Sequence, residues 1–206
     1  MSENIDETRI IEAATQRFMD TGFNKVTMDE IASDVGMSKK TVYKFFPSKE
    51  TLLQVVVAIH TRNIERDVRE VVQSEKKIDE KLIALLTIVG KVVRKMSRPF
   101  MADVQRFAPA LWKEIEVFRR EKILSQLLQM FKQAKKEGAF REDVDPDLFF
   151  LVVMTTIQGI MNPEVLSQHP FTAETAFRGI FKILYSGVLT DEARHRFEQN
   201  NLNLIL

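Results

Sequence analysis

Four lysines lie between residues 35 and 49, in a stretch that holds no acidic residue. Lys39 and Lys40 stand in the predicted first turn of a short helix, and Lys49 stands in the predicted first turn of the next helix. Cations at such places oppose the helix dipole, so a helix selected for stability alone favours acidic residues there. A bound anion reverses this preference, because free backbone amides and ammonium groups then stabilise it together. The phosphates of DNA are anions at regular spacing, and the pattern therefore indicates DNA binding.

The short helix that carries these lysines has two different faces on a helical wheel. Its apolar residues share one face, which we expect to pack inward: Val42, Phe45 and Phe46. Its cations and a phenol share the other face: Lys39, Lys40, Tyr43 and Lys44. The alternative is that the lysines are ordinary solvated surface residues, as most charge runs are. Their positions at helix starts favour a surface that reads DNA.

The spacing of capping residues and turn formers makes this helix the second of a helix-turn-helix. Thr27 and Glu30 have the spacing of a capping box, in which the hydroxyl and the carboxylate each bond a free amide at the helix start. Gly36 lies in the turn after that first helix, and Ser38 caps the second. The second helix must end before Pro47, because proline restricts the residue that precedes it.

The rest of the chain also predicts helices, since apolar residues recur with a 3.6-residue period and no strand-like alternation occurs. We expect an all-α fold with about nine helices. The predicted helices cover residues 5–21, 27–36, 38–46, 48–72, 79–96, 99–108, 111–137, 146–167 and 172–188, and a polar tail follows. Residues 1–50 are predicted to form a small three-helix domain, and residues 51–206 a larger helical domain.

The composition excludes several classes of site. The chain has 206 residues, of which 45% are hydrophobic and 29% charged, as in a globular protein with a sizeable core. It has no cysteine, which excludes disulfides, thiolate metal sites and cysteine nucleophiles. Its three histidines lie far apart, and neither a phosphate-binding glycine loop nor a serine-nucleophile motif occurs. We therefore expect no enzyme activity, no cofactor and no metal.

Neither a signal peptide nor a membrane span is predicted, so we expect a cytoplasmic location and no membrane partner. The net charge of only +1 would by itself argue against a protein that binds nucleic acid. That whole-chain value conceals the basic stretch at residues 35–49, which follows a net acidic stretch at residues 1–34.

Many residues of the helix-turn-helix stretch match a known family pattern. The stretch resembles the DNA-binding signature of the TetR family of bacterial transcriptional regulators. The matching residues are Phe18, Gly22, Phe23, Thr27, Ile31, Ala32, Gly36, Met37, Ser38, Thr41, Val42, Tyr43, Phe46, Ser48, Lys49 and Glu50. Beyond residue 50 the chain resembles the family in length and helicity only.

By position, the resemblance implies a role in DNA binding for eight residues: Thr27, Ser38, Lys39, Lys40, Thr41, Tyr43, Lys44 and Lys49. Thr27 and Tyr43 would bond phosphates, and Lys49 would clamp another phosphate. Lys39 and Lys40 would read base edges in the groove. Lys40 stands where many members of the family have glycine, which adds a contact to guanine or to phosphate.

One short recognition helix contacts few base pairs, so helix-turn-helix proteins usually bind palindromic sites as dimers. Two apolar stripes late in the chain offer a dimer interface, and in the resemblance the last two long helices form it. The stripes comprise Phe149, Val152, Val153, Thr156, Ile160, Phe177, Phe181, Leu184, Tyr185 and Val188. The alternative is that both stripes are core helices of one chain.

The middle of the chain is rich in methionine and aromatic residues, which suit a pocket for a largely apolar small molecule as well as they suit a plain core. The resemblance implies that this domain binds an effector and thereby respaces two DNA-binding heads. The candidate pocket residues are Phe100, Gln105, Phe107, Trp112, Met154 and Gln158.

The sequence thus predicts a homodimeric regulator that an unidentified small molecule releases from a double-stranded DNA operator. Repression is the default in the family it resembles. The alternative is a helix-turn-helix regulator that answers to a protein partner or to no effector.

Overall fold

The structure is a computed structural model that describes residues 2–95, 98–160 and 163–200. Regular structure in that part of the chain is helical, which confirms the predicted all-α fold. The helices are α1 (Ser2–Thr21), α2 (Met28–Val35), α3 (Lys39–Phe45), α4 (Lys49–Gln73), α5 (Ile78–Lys95), α6 (Arg98–Phe107), α7 (Pro109–Phe118), α8 (Ser125–Lys136), α9 (Pro146–Ile160), α10 (Pro163–Ser167), α11 (Ala173–Val188) and α12 (Asp191–Asn200). A π-helical segment, Arg119–Leu124, joins α7 to α8.

The chain divides into two compact units. Unit 1 comprises Met1–Ile64 and Lys95–Phe118, and unit 2 comprises Glu65–Arg94 and Arg119–Leu206. Unit 1 therefore contains α6 and α7 in addition to the N-terminal helices, whereas the predicted division fell at residue 50. The predicted boundary at residue 50 separates the DNA-binding residues from the rest of the chain, and this functional division stays a prediction.

Unit 1 is built around one apolar core that α1, α2, α3, α4, α6 and α7 share. Phe18 near the end of α1 is fully buried, and its ring meets that of Phe23 edge to face with centroids 5.4 Å apart. Phe100 and Val104 of α6 are fully buried in the same core. Burial of a side chain as large as Phe18 stabilises a fold by about 1.5–3 kcal/mol. The helices of the helix-turn-helix therefore pack on a shared apolar core.

The core of unit 2 is an aromatic cluster on α8, α9 and α11. The rings of Phe131 and Phe140 stack with centroids 4.2 Å apart, and Phe149 meets Tyr185 edge to face at 5.4 Å. Phe181 stacks on Tyr185 at 3.9 Å. Such ring pairs add about 0.5–1.5 kcal/mol beyond the burial of their area. Burial also raises the pKa of the Tyr185 hydroxyl, because the phenolate would lose its hydration.

The end of α11 is held by the segment that follows α8. Phe140 and Leu189 pair in antiparallel fashion. The Arg141 N–H donates to the Val188 carbonyl at 2.9 Å, and the Thr190 N–H donates to the Ala139 carbonyl at 3.0 Å. These bonds fix the point at which the chain leaves α11 and enters α12.

Two predicted elements differ from the observed ones, and a third is described in part. The predicted helix 111–137 contains the π-helical segment. Within the predicted helix 146–167 the structure describes α9 and α10, and residues 161–162 lie outside the described part of the chain. The predicted polar tail contains α12. This helix has no apolar stripe for a periodicity argument to detect, and charged pairs along it, such as Arg196 with Glu192, support it instead.

Candidate nucleic-acid interface

The first helix of the helix-turn-helix, α2, begins with the predicted capping box. Thr27 is extended, and its Oγ1 accepts the Glu30 N–H at 3.3 Å. The Thr27 N–H in turn donates to Glu30 Oε2 at 2.7 Å, and its hydroxyl donates to the same oxygen at 2.8 Å. The hydrogen bonds that the Thr27 backbone N–H and hydroxyl donate to the Glu30 carboxylate lower the pKa of that carboxyl. The hydroxyl predicted to meet a phosphate is thus exposed and held by a neighbouring carboxylate.

The turn between α2 and α3 follows from a single glycine. Gly36 has φ +68°, in the left-handed region that favours glycine. Its N–H donates to Ser33 O at 3.1 Å, and the Met37 N–H donates to Ala32 O at 2.9 Å, which completes a Schellman-type ending. Ser38 then caps α3, because its Oγ accepts the Thr41 N–H at 3.1 Å.

The two faces of α3 lie as the helical wheel predicted. Val42 is fully buried in the core of unit 1, and the opposite side of α3 is exposed. That exposed side carries Lys39, Lys40, Tyr43 and Lys44. Ser38 is exposed, Thr41 is half-buried, and their hydroxyl oxygens lie 2.8 Å apart. Seven of the eight predicted DNA-binding residues therefore lie on α3 or at the starts of α2 and α3, with side chains wholly or partly open to solvent.

The eighth, Lys49, has a different environment from the one predicted. Its Nζ donates to three backbone carbonyls, those of Phe23, Asn24 and Val26, at 3.0, 3.2 and 2.8 Å. It also lies 4.4 Å from the centroid of the Phe23 ring. An ammonium group has three N–H donors, so these bonds use its full capacity. A phosphate clamp would have to break at least one of them, and the geometry favours an internal role for Lys49 in fixing the segment between α1 and α2.

A second set of contacts ties α1 to α2. The Arg17 guanidinium forms a bidentate ion pair with Asp34, in which Nη2 and Oδ1 are 2.7 Å apart, and Nη1 lies 3.5 Å from Glu30 Oε1. The hydrogen bond from Arg17 lowers the pKa of the Asp34 carboxyl. Arg9 donates from Nη2 to the Val35 carbonyl at the end of α2, at 2.7 Å. No local spacing signals these pairs, because their members lie on different helices.

The predicted pocket residues fall in both units. In unit 1, Phe100 is fully buried, Trp112 packs against the same core, and Gln105 and Phe107 are exposed. In unit 2, Met154 is half-buried. The side chain of Gln158 lies outside the described residues. Phe100 is thus a core residue of unit 1, and the predicted pocket as a whole stays a prediction.

The predicted dimer stripes mostly face inward. Five of the ten residues are buried within unit 2: Phe149, Val153, Phe177, Tyr185 and Val188. Thr156, Ile160, Phe181 and Leu184 are half-buried, and Val152 is 41% exposed. The buried five belong to the core of unit 2, and the predicted dimer interface as a whole stays a prediction.

The outward faces of the same two helices carry exposed apolar residues, of which Val152 alone belongs to the predicted stripes. Leu148, Leu151 and Val152 of α9 are exposed, and Ile183 of α11 is 74% exposed. The two helices pack against each other within unit 2. Large apolar side chains that form a contiguous exposed patch are typical of a protein–protein interface.

Other kinds of site find no support in the described part of the chain. No cluster of three or more potential metal-ligating side chains (His, Cys, Asp or Glu) occurs among the residues that the structure describes. None of the helices described combines the length and the apolar character that a membrane span requires.

Comparison with known proteins identifies relatives over the helix-turn-helix and over most of the chain. Residues 10–56 match the family model described as bacterial regulatory proteins, tetR family. YvaF, an HTH-type transcriptional regulator of Bacillus subtilis (strain 168), is 24% identical over 189 residues, which cover 90% of this chain and 97% of that protein.

Solved structures share the fold over a similar length. A TetR-family regulator from Agrobacterium tumefaciens superposes with a TM-score of 0.72 at 16% identity, covering 91% of this chain and 99% of that one. SmeT in its complex with triclosan superposes with a TM-score of 0.66 at 14% identity, covering 92% of this chain and 94% of that one. At these identities the superpositions indicate a common fold.

Proposed function

We propose that the chain is a transcriptional regulator of the TetR family whose helix α3 binds the major groove of a double-stranded operator, because residues 10–56 match the model of that family and YvaF, a relative over most of the chain, is an HTH-type transcriptional regulator. One observation carries this proposal. The exposed face of α3 presents cations and hydroxyl groups, while the opposite face is locked into the core of unit 1 through Val42. A helix held in this way can enter a groove without changing its own packing.

The side chains of the exposed face differ in the part of DNA that each is suited to contact. Lys39 and Lys40 are long enough to donate to guanine O6 and N7 in the groove. Thr27 and Tyr43 lie at the edges of the motif, where their hydroxyl groups suit phosphate oxygens. Phosphate contacts set the position of the protein on DNA, whereas base contacts select the sequence.

Two copies of the chain would bind one palindromic operator. A single α3 spans only a few base pairs, and a two-fold dimer doubles the sequence that is read. The outward faces of α9 and α11, with Leu148, Leu151, Val152 and Ile183, supply apolar area for that contact. A second copy offers the same apolar residues in return, which is the self-complementarity that a two-fold interface needs.

A small, largely apolar molecule would release the dimer from DNA, and the regulator would act as a cytoplasmic repressor. Two observations support this proposal: the methionine and aromatic residues of the chain, and the fold that it shares with SmeT, whose structure is a complex with triclosan. Release requires only that the effector binds the DNA-free state more tightly than the DNA-bound state.

Selection of bound sequences from a random DNA library, followed by affinity measurements at several salt concentrations, tests the DNA-binding proposal. We expect a palindromic consensus, with an affinity that falls steeply as salt rises because phosphate contacts release counterions. Lys39→Ala and Lys40→Ala should relax the consensus. Lys132→Ala, which removes an exposed lysine of α8 in unit 2, is the matched control and should leave the consensus unchanged. Binding without a consensus, or one unaltered in both α3 variants, would contradict the proposal.

The effector is tested separately by native mass spectrometry of the purified protein. We expect a bound small molecule whose removal strengthens operator binding. If no small molecule is found and operator affinity is insensitive to a library of apolar compounds, control by a protein partner becomes the better interpretation.

A further inference from the structure

The ammonium group of Lys39 is already paired with a carboxylate in the DNA-free chain. Its Nζ lies 2.8 Å from Asp29 Oδ1 and 3.0 Å from Asp29 Oδ2, so both oxygens of the carboxylate contact it. The same Nζ lies 5.9 Å from the centroid of the Tyr43 ring. Asp29 stands in the first turn of α2, and Lys39 in the first turn of α3. The pair therefore crosses between the two helices of the motif.

The position of this pair is unusual for a contact that serves folding alone. The side chains of Lys39 and Asp29 are 59% and 62% exposed, and exposed ion pairs contribute little to the stability of a fold. The carboxylate instead places a negative charge on the surface that faces polyanionic DNA. The hydrogen bond that Lys39 donates to Asp29 raises the pKa of Lys39, which keeps the ammonium group charged while it is held.

We propose that Asp29 is a specificity-determining residue, which lowers the affinity of the motif for non-specific DNA by occupying the ammonium group of Lys39. This inference rests on the proposed function of α3. Non-specific binding depends on the neutralisation of phosphates by free cations. An ammonium group paired with a carboxylate is locally neutral, so Lys39 adds little to binding at an arbitrary sequence.

Binding at the operator differs from binding at an arbitrary sequence, because base edges there offer hydrogen-bond acceptors at fixed positions. Lys39 has three N–H donors, and guanine O6 and N7 can accept from them. The freed or shared Asp29 carboxylate can accept from cytosine N4 at a neighbouring pair. The loss of the Lys39–Asp29 contact is thus compensated at the operator and remains uncompensated elsewhere. Asp29 widens the ratio between operator and non-specific affinities.

The test compares Asp29→Asn with the unaltered chain on the selected operator and on a scrambled duplex of equal length. Asp29→Asn should strengthen binding to the scrambled duplex by about 2- to 5-fold, the range expected from an exposed ion pair. Operator affinity should change less, so the ratio of the two affinities should fall. The salt dependence of binding to the scrambled duplex should steepen by about one counterion, because Lys39 becomes available to a phosphate.

Glu50→Gln is the matched control, because Glu50 is an exposed acid in the first turn of a neighbouring helix, α4. It removes one negative charge from the first turn of a helix, as Asp29→Asn does. We expect Glu50→Gln to shift the operator and the scrambled duplex by equal factors. If the ratio of operator affinity to scrambled-duplex affinity were the same in Asp29→Asn and Glu50→Gln, the proposal would be overturned, because the loss of one negative charge would then explain both results.

A double-mutant cycle with Lys39→Met separates action through Lys39 from direct repulsion of phosphates. In the Lys39→Met background, Asp29→Asn should leave the affinity for the scrambled duplex unchanged within error. A persisting 2- to 5-fold gain would overturn the role of Asp29 through Lys39. If the unaltered chain selects no consensus at all, the proposed function itself fails, which is a different outcome from a consensus that Asp29→Asn leaves equally selective.

Discussion

Asp103 in α6 accepts a hydrogen bond from the backbone N–H of Asn24, with 2.7 Å between N and Oδ2, although the two residues are 79 positions apart. The carbonyl of the same residue, Asn24, accepts from Lys49 at 3.2 Å. The short segment between α1 and α2 is therefore held through both backbone polar groups of Asn24, by a carboxylate from α6 and by an ammonium group from α4.

Asp103→Ala should destabilise unit 1 by about 1 kcal/mol, because the Asn24 N–H loses a charged acceptor but can still bond water. Asp103→Asn keeps a neutral acceptor oxygen and should cost less. Urea denaturation of both variants measures the difference. Equal stability of Asp103→Ala and the unaltered chain would contradict a stabilising role for the bond.

Gly22→Ala should destabilise unit 1 by about 1–3 kcal/mol, since Gly22 has φ +91° and an added Cβ would lie 2.6 Å from Asp103 Oδ2. Gly36→Ala is the matched control, because Gly36 also has positive φ but an added Cβ there meets nothing within 4 Å. Thermal melts should show the larger loss for Gly22→Ala. A larger loss for Gly36→Ala would mean that backbone conformation outweighs the close approach of Asp103.

Lys49→Met should lower the melting temperature of unit 1, because it removes three hydrogen bonds and leaves the carbonyls of Phe23, Asn24 and Val26 without this donor. We expect a loss of about 1–3 kcal/mol. Lys40→Met makes the same change at an exposed position of α3 and should alter stability by less than about 0.5 kcal/mol. Unchanged stability of Lys49→Met together with weakened DNA binding would support the predicted phosphate clamp instead.

Acid should destabilise the contact between α1 and α2. The pKa of Asp34 is lowered chiefly by its hydrogen bond from Arg17, and that of Glu30 by its bonds from Thr27. A carboxyl with a lowered folded-state pKa stabilises the fold above its unfolded pKa, which is about 4, and loses that contribution as pH falls through the lower folded value.

Circular dichroism melts between pH 6 and pH 2 should therefore show a falling melting temperature below about pH 4. Arg17→Met should flatten that fall, because Asp34 then loses the partner that lowers its pKa. Arg196→Met, which breaks an exposed pair with Glu192 in unit 2, should leave the acid response of unit 1 unchanged. An equally steep fall in Arg17→Met would contradict the assignment.

Ile183→Glu and Leu151→Glu should weaken the proposed dimer by at least about tenfold, since each places a charge in an apolar contact. Sedimentation velocity across a concentration series measures the change. Ile5→Glu is the matched control, because Ile5 of α1 is 61% exposed, close to the 63% of Leu151, and lies in unit 1. A dimer that persists in both unit 2 variants would show that its interface lies elsewhere.

The helix-turn-helix could be predicted from sequence because its contacts are local. The bonds of Thr27 with Glu30, and of Ser38 with Thr41, join residues three positions apart. The left-handed turn needs one glycine, Gly36, at one position. Such contacts are visible in the order of the residues, and the predicted bounds of α2 and α3 agree with the observed ones within one or two residues.

The contacts that fix the motif in place could not be predicted in this way. Lys49 and Phe23 lie 26 positions apart, and Arg17 and Asp34 lie 17 apart. Only the packing of several helices brings them together. Sequence assigned Lys49 to phosphate because a cation at a helix start has two possible partners, an external anion or internal carbonyls, and local spacing does not distinguish them.

The same limit applies to the stripes of α9 and α11. A 3.6-residue period shows that a helix has an apolar face, but not whether that face is covered by its own chain or by a partner. In α11 the periodic face, with Phe177 and Tyr185, is the inner one. On the outward face of α11, Ile183 is the one large apolar residue that is exposed. A single residue forms no periodic pattern, so the sequence does not reveal this face.

The placement of Trp112 has a practical consequence. It is the only tryptophan of the chain, and it packs against the core of unit 1, whereas Tyr185 is buried in unit 2. Tryptophan emission therefore reports the local environment of unit 1, while the far-ultraviolet helical signal reports the whole chain. Denaturation curves recorded with both optical probes on one sample would coincide if the two units unfold cooperatively and would separate if one melts first. Trp112 thus allows the unfolding of unit 1 to be followed separately from that of unit 2.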